Sequence, residues 1–121
     1  MISEAIQEAL ESVIENTYQT IGDENITTPF CVHEESDEPI RLKEGIVGYE
    51  YKVEVAIIDT TPDSCIELAS SGVSVIMALE NTTSHGTRIE GISYDGSNPG
   101  FDQQTKEYIR ILQFTIQTGN L

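Results

Sequence analysis

Residues 49–79 read YEYKVEVAIIDTTPDSCIELASSGVSVIMAL, and this stretch decides the fold. Tyr49, Tyr51, Val53, Val55 and Ile57 fall on one side of an extended chain while Glu50, Lys52 and Glu54 fall on the other, the period of a half-buried strand over residues 49–58. Helix-start signals follow at once: Thr61 supplies a capping hydroxyl, Pro62 fits the first helical position, and Asp63 and Ser64 occupy the first turn. The helix is expected from Pro62 to about Leu79. Cys65, Ile66, Leu68, Ala69, Gly72, Val73, Ile76, Met77 and Leu79 cover roughly half of its circumference, which predicts a helix lying on a sheet. A glycine inside a helix costs about 1 kcal/mol relative to alanine, so Gly72 is expected where a strand comes close.

Upstream, Ile2, Ile6, Ala9, Leu10, Val13, Ile14 and Thr17 recur at three- and four-residue steps and predict a first helix over residues 3–18, with Glu4, Glu8, Glu11 and Glu15 on its opposite face. Gly22 and Asp23 end that pattern, residues 25–28 read as a connector, and Pro29 opens a strand over residues 29–35. Residues 34–39 carry turn-forming and acidic residues and are expected as a loop, with a short marginal strand over 40–44 before Gly45 and Gly48 interrupt it. Downstream, a polar loop (81–86), a strand (87–94), a turn over Asp-Gly-Ser-Asn-Pro-Gly (95–100) and a returning strand (104–117) are expected. That last strand sets Tyr108, Arg110, Leu112, Phe114 and Ile116 on one face, where Arg110 marks an end projecting past the core. The expected architecture is an α+β domain of order α-β-β-β-α-β-β: a mostly antiparallel four- to five-stranded sheet with both helices on one face.

With 121 residues and 13.4 kDa, the expectation is a single domain spanning 1–121. Six basic against 21 acidic residues leave a net charge of −15 and a pI near 4.1, which argues against a surface built to hold nucleic-acid phosphates. No apolar run reaches the roughly 18 residues of a membrane span, and the amino terminus lacks the basic start and apolar core of a signal peptide, so a soluble cytoplasmic protein is expected. The charge is uneven: residues 1–40 hold ten acids and no Lys or Arg. Such a run is ordinarily a solvated face; its sharper meaning is an electrostatic wall.

Few residues suggest chemistry. Cys31 and Cys65 read as small buried hydrophobes with free thiols. A nucleophile pair of Cys31 with His33 or His85 has no third group to orient the base. Two histidines 52 positions apart, without paired cysteines, match no zinc spacing. A calcium loop starting at Asp95 has Ser97 and Gly100 in register, but Pro99 offers no side-chain oxygen and Lys106 stands where the bidentate glutamate belongs. No phosphate-cradling glycine loop stands between a strand and a helix. No catalytic, metal or cofactor site, and no small-molecule substrate, is expected.

The layout as a whole resembles that of phage tail-completion or tail-terminator proteins: an acidic chain with an amino-terminal helix, the strand Pro29-Phe30-Cys31-Val32, the strand Tyr51-Lys52-Val53-Glu54-Val55 ahead of the second helix, and a final hairpin ending in Phe114-Thr115-Ile116. The acidic stretch from Glu34 to Glu38 departs from the family pattern. The resemblance implies a non-enzymatic protein that self-assembles into a ring, commonly a hexamer, ending the tail tube and joining it to the head connector. It implies tail-tube and connector partners, DNA passing without specific binding, and location in the host bacterial cytoplasm during assembly and then in the virion tail. A ring of this kind needs two different surfaces per subunit, and an acidic lumen repels the phosphates passing through it. Glu34, Glu35, Asp37 and Glu38 are therefore expected to face a lumen or a partner. The alternative is a small acidic binding module, an inhibitor or DNA mimic, acting on a basic protein.

Overall fold

The computed structural model describes residues 2–19, 28–43 and 45–119. Its elements run α1 (Ile2–Glu11), β1 (Thr17–Gln19), β2 (Phe30–Leu42), β3 (Gly45–Asp59), α2 (Pro62–Met77), β4 (Thr82–Ser84), β5 (Thr87–Asp102) and β6 (Glu107–Gly119). The strands form one sheet in the order β1-β2-β3-β6-β5-β4, antiparallel except where β1 runs parallel to β2. This six-stranded mixed sheet, curled into a half-barrel, replaces the expected four- to five-stranded antiparallel one. The expected connector over 25–28 lies outside the described residues, apart from Thr28.

Alternation in the central strands organises the core. Val53, Val55 and Ile57 of β3 lie beside Phe114, Leu112 and Arg110 of β6, and the apolar members of that face are buried. Ile2, Ala5, Ile6 and Leu10 of α1 and Cys65, Ala69 and Ile76 of α2 close over the same face. The second helix begins as its sequence predicts, with the Thr61 hydroxyl accepting from the Ser64 amide at 3.2 Å. A Cβ at Gly72 would meet only side-chain methyls of Ile57, Leu112 and Leu10 at 3.5–3.7 Å, which is ordinary contact. Gly72 is thus buried where side chains of β3 and β6 come close, as expected, but with room for a methyl group. Gly72→Ala is predicted to stabilise the protein by about 0.5–1 kcal/mol, through helix propensity and a less flexible unfolded chain; a lower thermal midpoint would contradict this.

Four local expectations fail. The first helix stops at Glu11 rather than running to residue 18, although Ile14 stays in the core and keeps the apolar period going. The Ser12 hydroxyl donates to the Ala9 carbonyl at 2.5 Å, competing with the helix backbone, and Thr17 joins β1, a conformation that suits its branched side chain. Residues 34–39 are not a loop but the middle of β2, paired residue by residue with β3 from Glu34↔Glu54 to Pro39↔Tyr49. Among the described residues β1 covers only Cys31, Val32 and His33, so the rest of β2 has an open margin, where Pro39 sacrifices no ladder bond. Residues 95–100 are likewise strand, not turn: β5 passes through them with irregularities at Ile89/Gly91 and Tyr94/Gly96, and Gly96 takes the positive φ of 116°. The reversal comes later, where the Asp102 carboxylate accepts from the Gln104 amide at 2.9 Å and the Lys106 amide donates to the Asp102 carbonyl at 2.8 Å. The expected loop over 81–86 contains β4, which turns into β5 through His85 and Gly86, both at positive φ.

Candidate functional site

Strand alternation divides the acidic quartet of β2. Glu34 and Glu38 are exposed on the face of the sheet away from the helices, beside Glu54 and Glu50 of β3. Between them lies the row Ser36, Lys52, Thr115 and Ser93. The Lys52 ammonium donates to the Thr115 hydroxyl at 2.9 Å and lies 3.3 Å from the Glu50 carboxylate. Asp95, the extra residue of the β5 irregularity, accepts from Thr115 at 2.5 Å and from Ser93 at 2.9 Å, bonds that hold its carboxyl below the usual range. Glu34, Ser36, Lys52, Glu54, Asp95 and Gln113 border an open groove of about 470 Å³ here.

Glu35 and Asp37 point to the helix side. The Glu35 carboxylate contacts Nδ1 of His33, which is fully buried; Nε2 of His33 lies 2.6 Å from the Gln7 side-chain oxygen. The Gln7 amide nitrogen donates to the Thr17 carbonyl at 2.8 Å and to Glu11 at 2.5 Å, so the network ties α1, β1 and β2 together. Asp37 lies beside Tyr51, whose hydroxyl is pushed up mainly by burial and then by the charges of Asp37 and Tyr49. Alternation thus splits the four between the two faces of the sheet, Glu34 and Glu38 on one and Glu35 and Asp37 on the other; Glu35 is half-buried and the other three are exposed.

The thiols are inert by environment. Cys31 is buried with its sulfur 3.3 Å from the Thr17 hydroxyl, and burial pushes its pKa up to about 11. Burial, then the Asp59 charge, raises Cys65 as well. Both ring nitrogens of His33 are engaged elsewhere, so no base serves Cys31. We predict that neither thiol reacts with a disulfide reagent at pH 8 until denaturant unfolds the chain; rapid labelling of the folded protein would contradict it. His85, the other histidine, is half-exposed and lies 2.6 Å from Glu8 and 3.3 Å from Glu4 on α1. Among the described residues no group of three or more His, Cys, Asp or Glu side chains could hold a metal ion, and no helix is long and apolar enough to cross a membrane.

A second feature escaped the sequence reading. The β2–β3 hairpin continues past the sheet: Gly48 pairs with Gly119 at the end of β6, while Arg41, Leu42, Gly45 and Ile46 pair only across the hairpin among the described residues. Leu42 is 59% and Val47 42% exposed on this arm, and Arg41 and Lys43 are exposed beside them. The alternation Ile40-Arg41-Leu42-Lys43 ahead of Gly45 carries the signal for a strand and turn, but only the register shows that, among the described residues, no third strand pairs with it.

The chain matches no protein-family model and no curated protein by sequence. Its fold is similar to that of a chain in the solved virion of a native gene transfer agent particle, with a TM-score of 0.72 and 12% identity, covering 98% of this chain and 95% of that one.

Proposed function

We propose that this protein is a structural component of a phage or phage-like virion, and within that class a tail-terminator-type subunit that assembles into a ring at the end of the tail tube and joins it to the head connector. The observation that carries the proposal is end-to-end likeness of fold to a virion chain: two chains of nearly the same extent share the whole architecture at 12% identity. The inert thiols and fully engaged His33 support a role without catalysis. A ring of chains carrying −15 each repels phosphates, so DNA passes without being held. Its places are the host cytoplasm during assembly and then the virion.

The test is light scattering after size exclusion, over a wide range of protein concentration and at low and high salt. Charge repulsion between subunits is screened at high salt, where the Debye length falls to about 3 Å at 1 M. A discrete species near six subunits, favoured by salt, is expected. A monomer under every condition, together with tight binding to a basic protein, would favour the other reading, an acidic inhibitor or DNA mimic. The exposed acids Glu34, Glu38 and Glu54, with half-buried Glu50 beside them, are the observation behind that alternative.

A further inference from the structure

We infer that the β2–β3 arm of one subunit seats on the outer sheet face of the next, a head-to-tail contact between copies of this chain. Four features of the arm and face carry this. The arm pairs two exposed apolar side chains, Leu42 and Val47, with two of the chain's six bases, Arg41 and Lys43. Even with Glu44 counted, residues 39–48 carry two bases against one acid in a chain of net charge −15.

The outer face is the counterpart. Its acidic rows, Glu34 with Glu54 and Glu38 with Glu50, have Lys52 between them in the row of Ser36. Directly beyond Glu34 and Glu54 the same face turns apolar, with half-buried Val32, Ala56 and Ile111 in one cross-strand row. An apolar tip flanked by cations matches an apolar row flanked by carboxylates. Another open groove, about 380 Å³ between α2, β5 and β6, has Arg110 in its lining and would repel the arm's bases, and a groove of about 580 Å³ beside α1 carries Glu4, Glu8 and Glu11 but no aliphatic side chain in its lining for the tip to meet.

Geometry excludes the arm's own face. Tip and seat lie on the same two continuous strands, so the tip reaches the seat only by breaking the β2–β3 ladder. Two different surfaces on one subunit give a heterologous contact, which closes into a ring when the rotation between neighbours divides a full turn. The apolar pair supplies burial and the charges set register and partner choice.

The inference rests on the ring reading above, and charge exchange separates the two. R41E/K43E and, separately, E34K/E54K are compared with the unaltered chain by light scattering, with circular dichroism and thermal unfolding run alongside. Each pair is expected to raise the concentration needed for assembly by about tenfold or more, as like charges meet across the contact. The unfolding midpoint should stay the same, because all four side chains are exposed. The four-fold variant combining both changes should assemble again near the original concentration. L42S/V47S, which alters no charge, should weaken assembly at high salt as well as low. Assembly of both charge variants at the original concentration would overturn the arm contact while leaving the ring intact. Loss of assembly in each pair without recovery in the combination would also overturn it. An unaltered chain that stays monomeric throughout overturns the ring, and the arm contact with it.

Discussion

His33→Leu is expected to destabilise the folded chain by about 3–5 kcal/mol, the cost of breaking a buried charged or hydrogen-bonded pair by removing one partner. His33 is fully buried, and each of its ring nitrogens faces an oxygen: a carboxylate oxygen of Glu35 and the side-chain oxygen of Gln7 at 2.6 Å. The orientation of Gln7 is set independently, because its amide nitrogen already donates to Thr17 and Glu11. Leucine at position 33 therefore leaves a carboxylate with only 5% side-chain exposure opposite an apolar group, its remaining contact being Gln19 at 3.4 Å. Adding Glu35→Leu removes the orphan. Positions 33 and 35 lie beside Val55 and Val53, so two leucines extend an apolar surface, and the double variant is expected to recover most of the loss. Urea unfolding of the two variants decides the matter; a single variant within about 1 kcal/mol of the parent would refute the role given to the network.

Gly48→Ala is the second large effect. A Cβ there would stand 2.1 Å from the Thr118 carbonyl oxygen, a backbone atom that moves only if β3 and β6 separate. Gly48 faces Gly119 in the register, so two residues without side chains bring the strands together where the arm leaves the sheet. The expected loss is about 2–4 kcal/mol, at the upper end for overpacking because no side chain can give way. Hydrogen exchange should localise the damage, with amides of the arm exposed first while those around Val55 and Leu112 stay protected. An alanine variant as stable as the parent, with unchanged exchange, would show that the strands are not so close.

How much of this was legible beforehand follows from where each residue sits in the sheet. Residues 49–58, 62–77 and 107–117 obey local rules because their strands or helix are flanked on both sides, and burial then mirrors the apolar period. Pro39, Pro99, Gly96 and the acids of 34–38 are ordinary signs of turns, yet they occupy strands. They do so in β2 and β5, each bordered on its outer side, among the described residues, by a three-residue strand, where a missing amide or an extra residue disturbs no described neighbour. β4, and the three residues described for β1, are too short to show a period at all. The acids at 34, 35, 37 and 38 were visible as a cluster, but a cluster in sequence becomes two opposed pairs once the backbone is extended. His33 was visible only as an apolar strand's companion, since its partner Gln7 lies 26 residues away on α1.

The margins of β2 and β5, covered only in part among the described residues, have one more consequence. An extended strand with free amides and carbonyls recruits any other such strand, and a sheet with two open sides grows into fibres. Here Pro39 interrupts one margin and Pro99 the other; the offsets at Ile40/Arg41, Ile89/Gly91 and Tyr94/Gly96 break the straight line a stacking strand would need, and the Glu80 carboxylate occupies the amide of Ile92 at 3.3 Å. A polymer built through backbone ladders has no fixed number of members. By closing that route, the chain leaves association to its side chains, which can count.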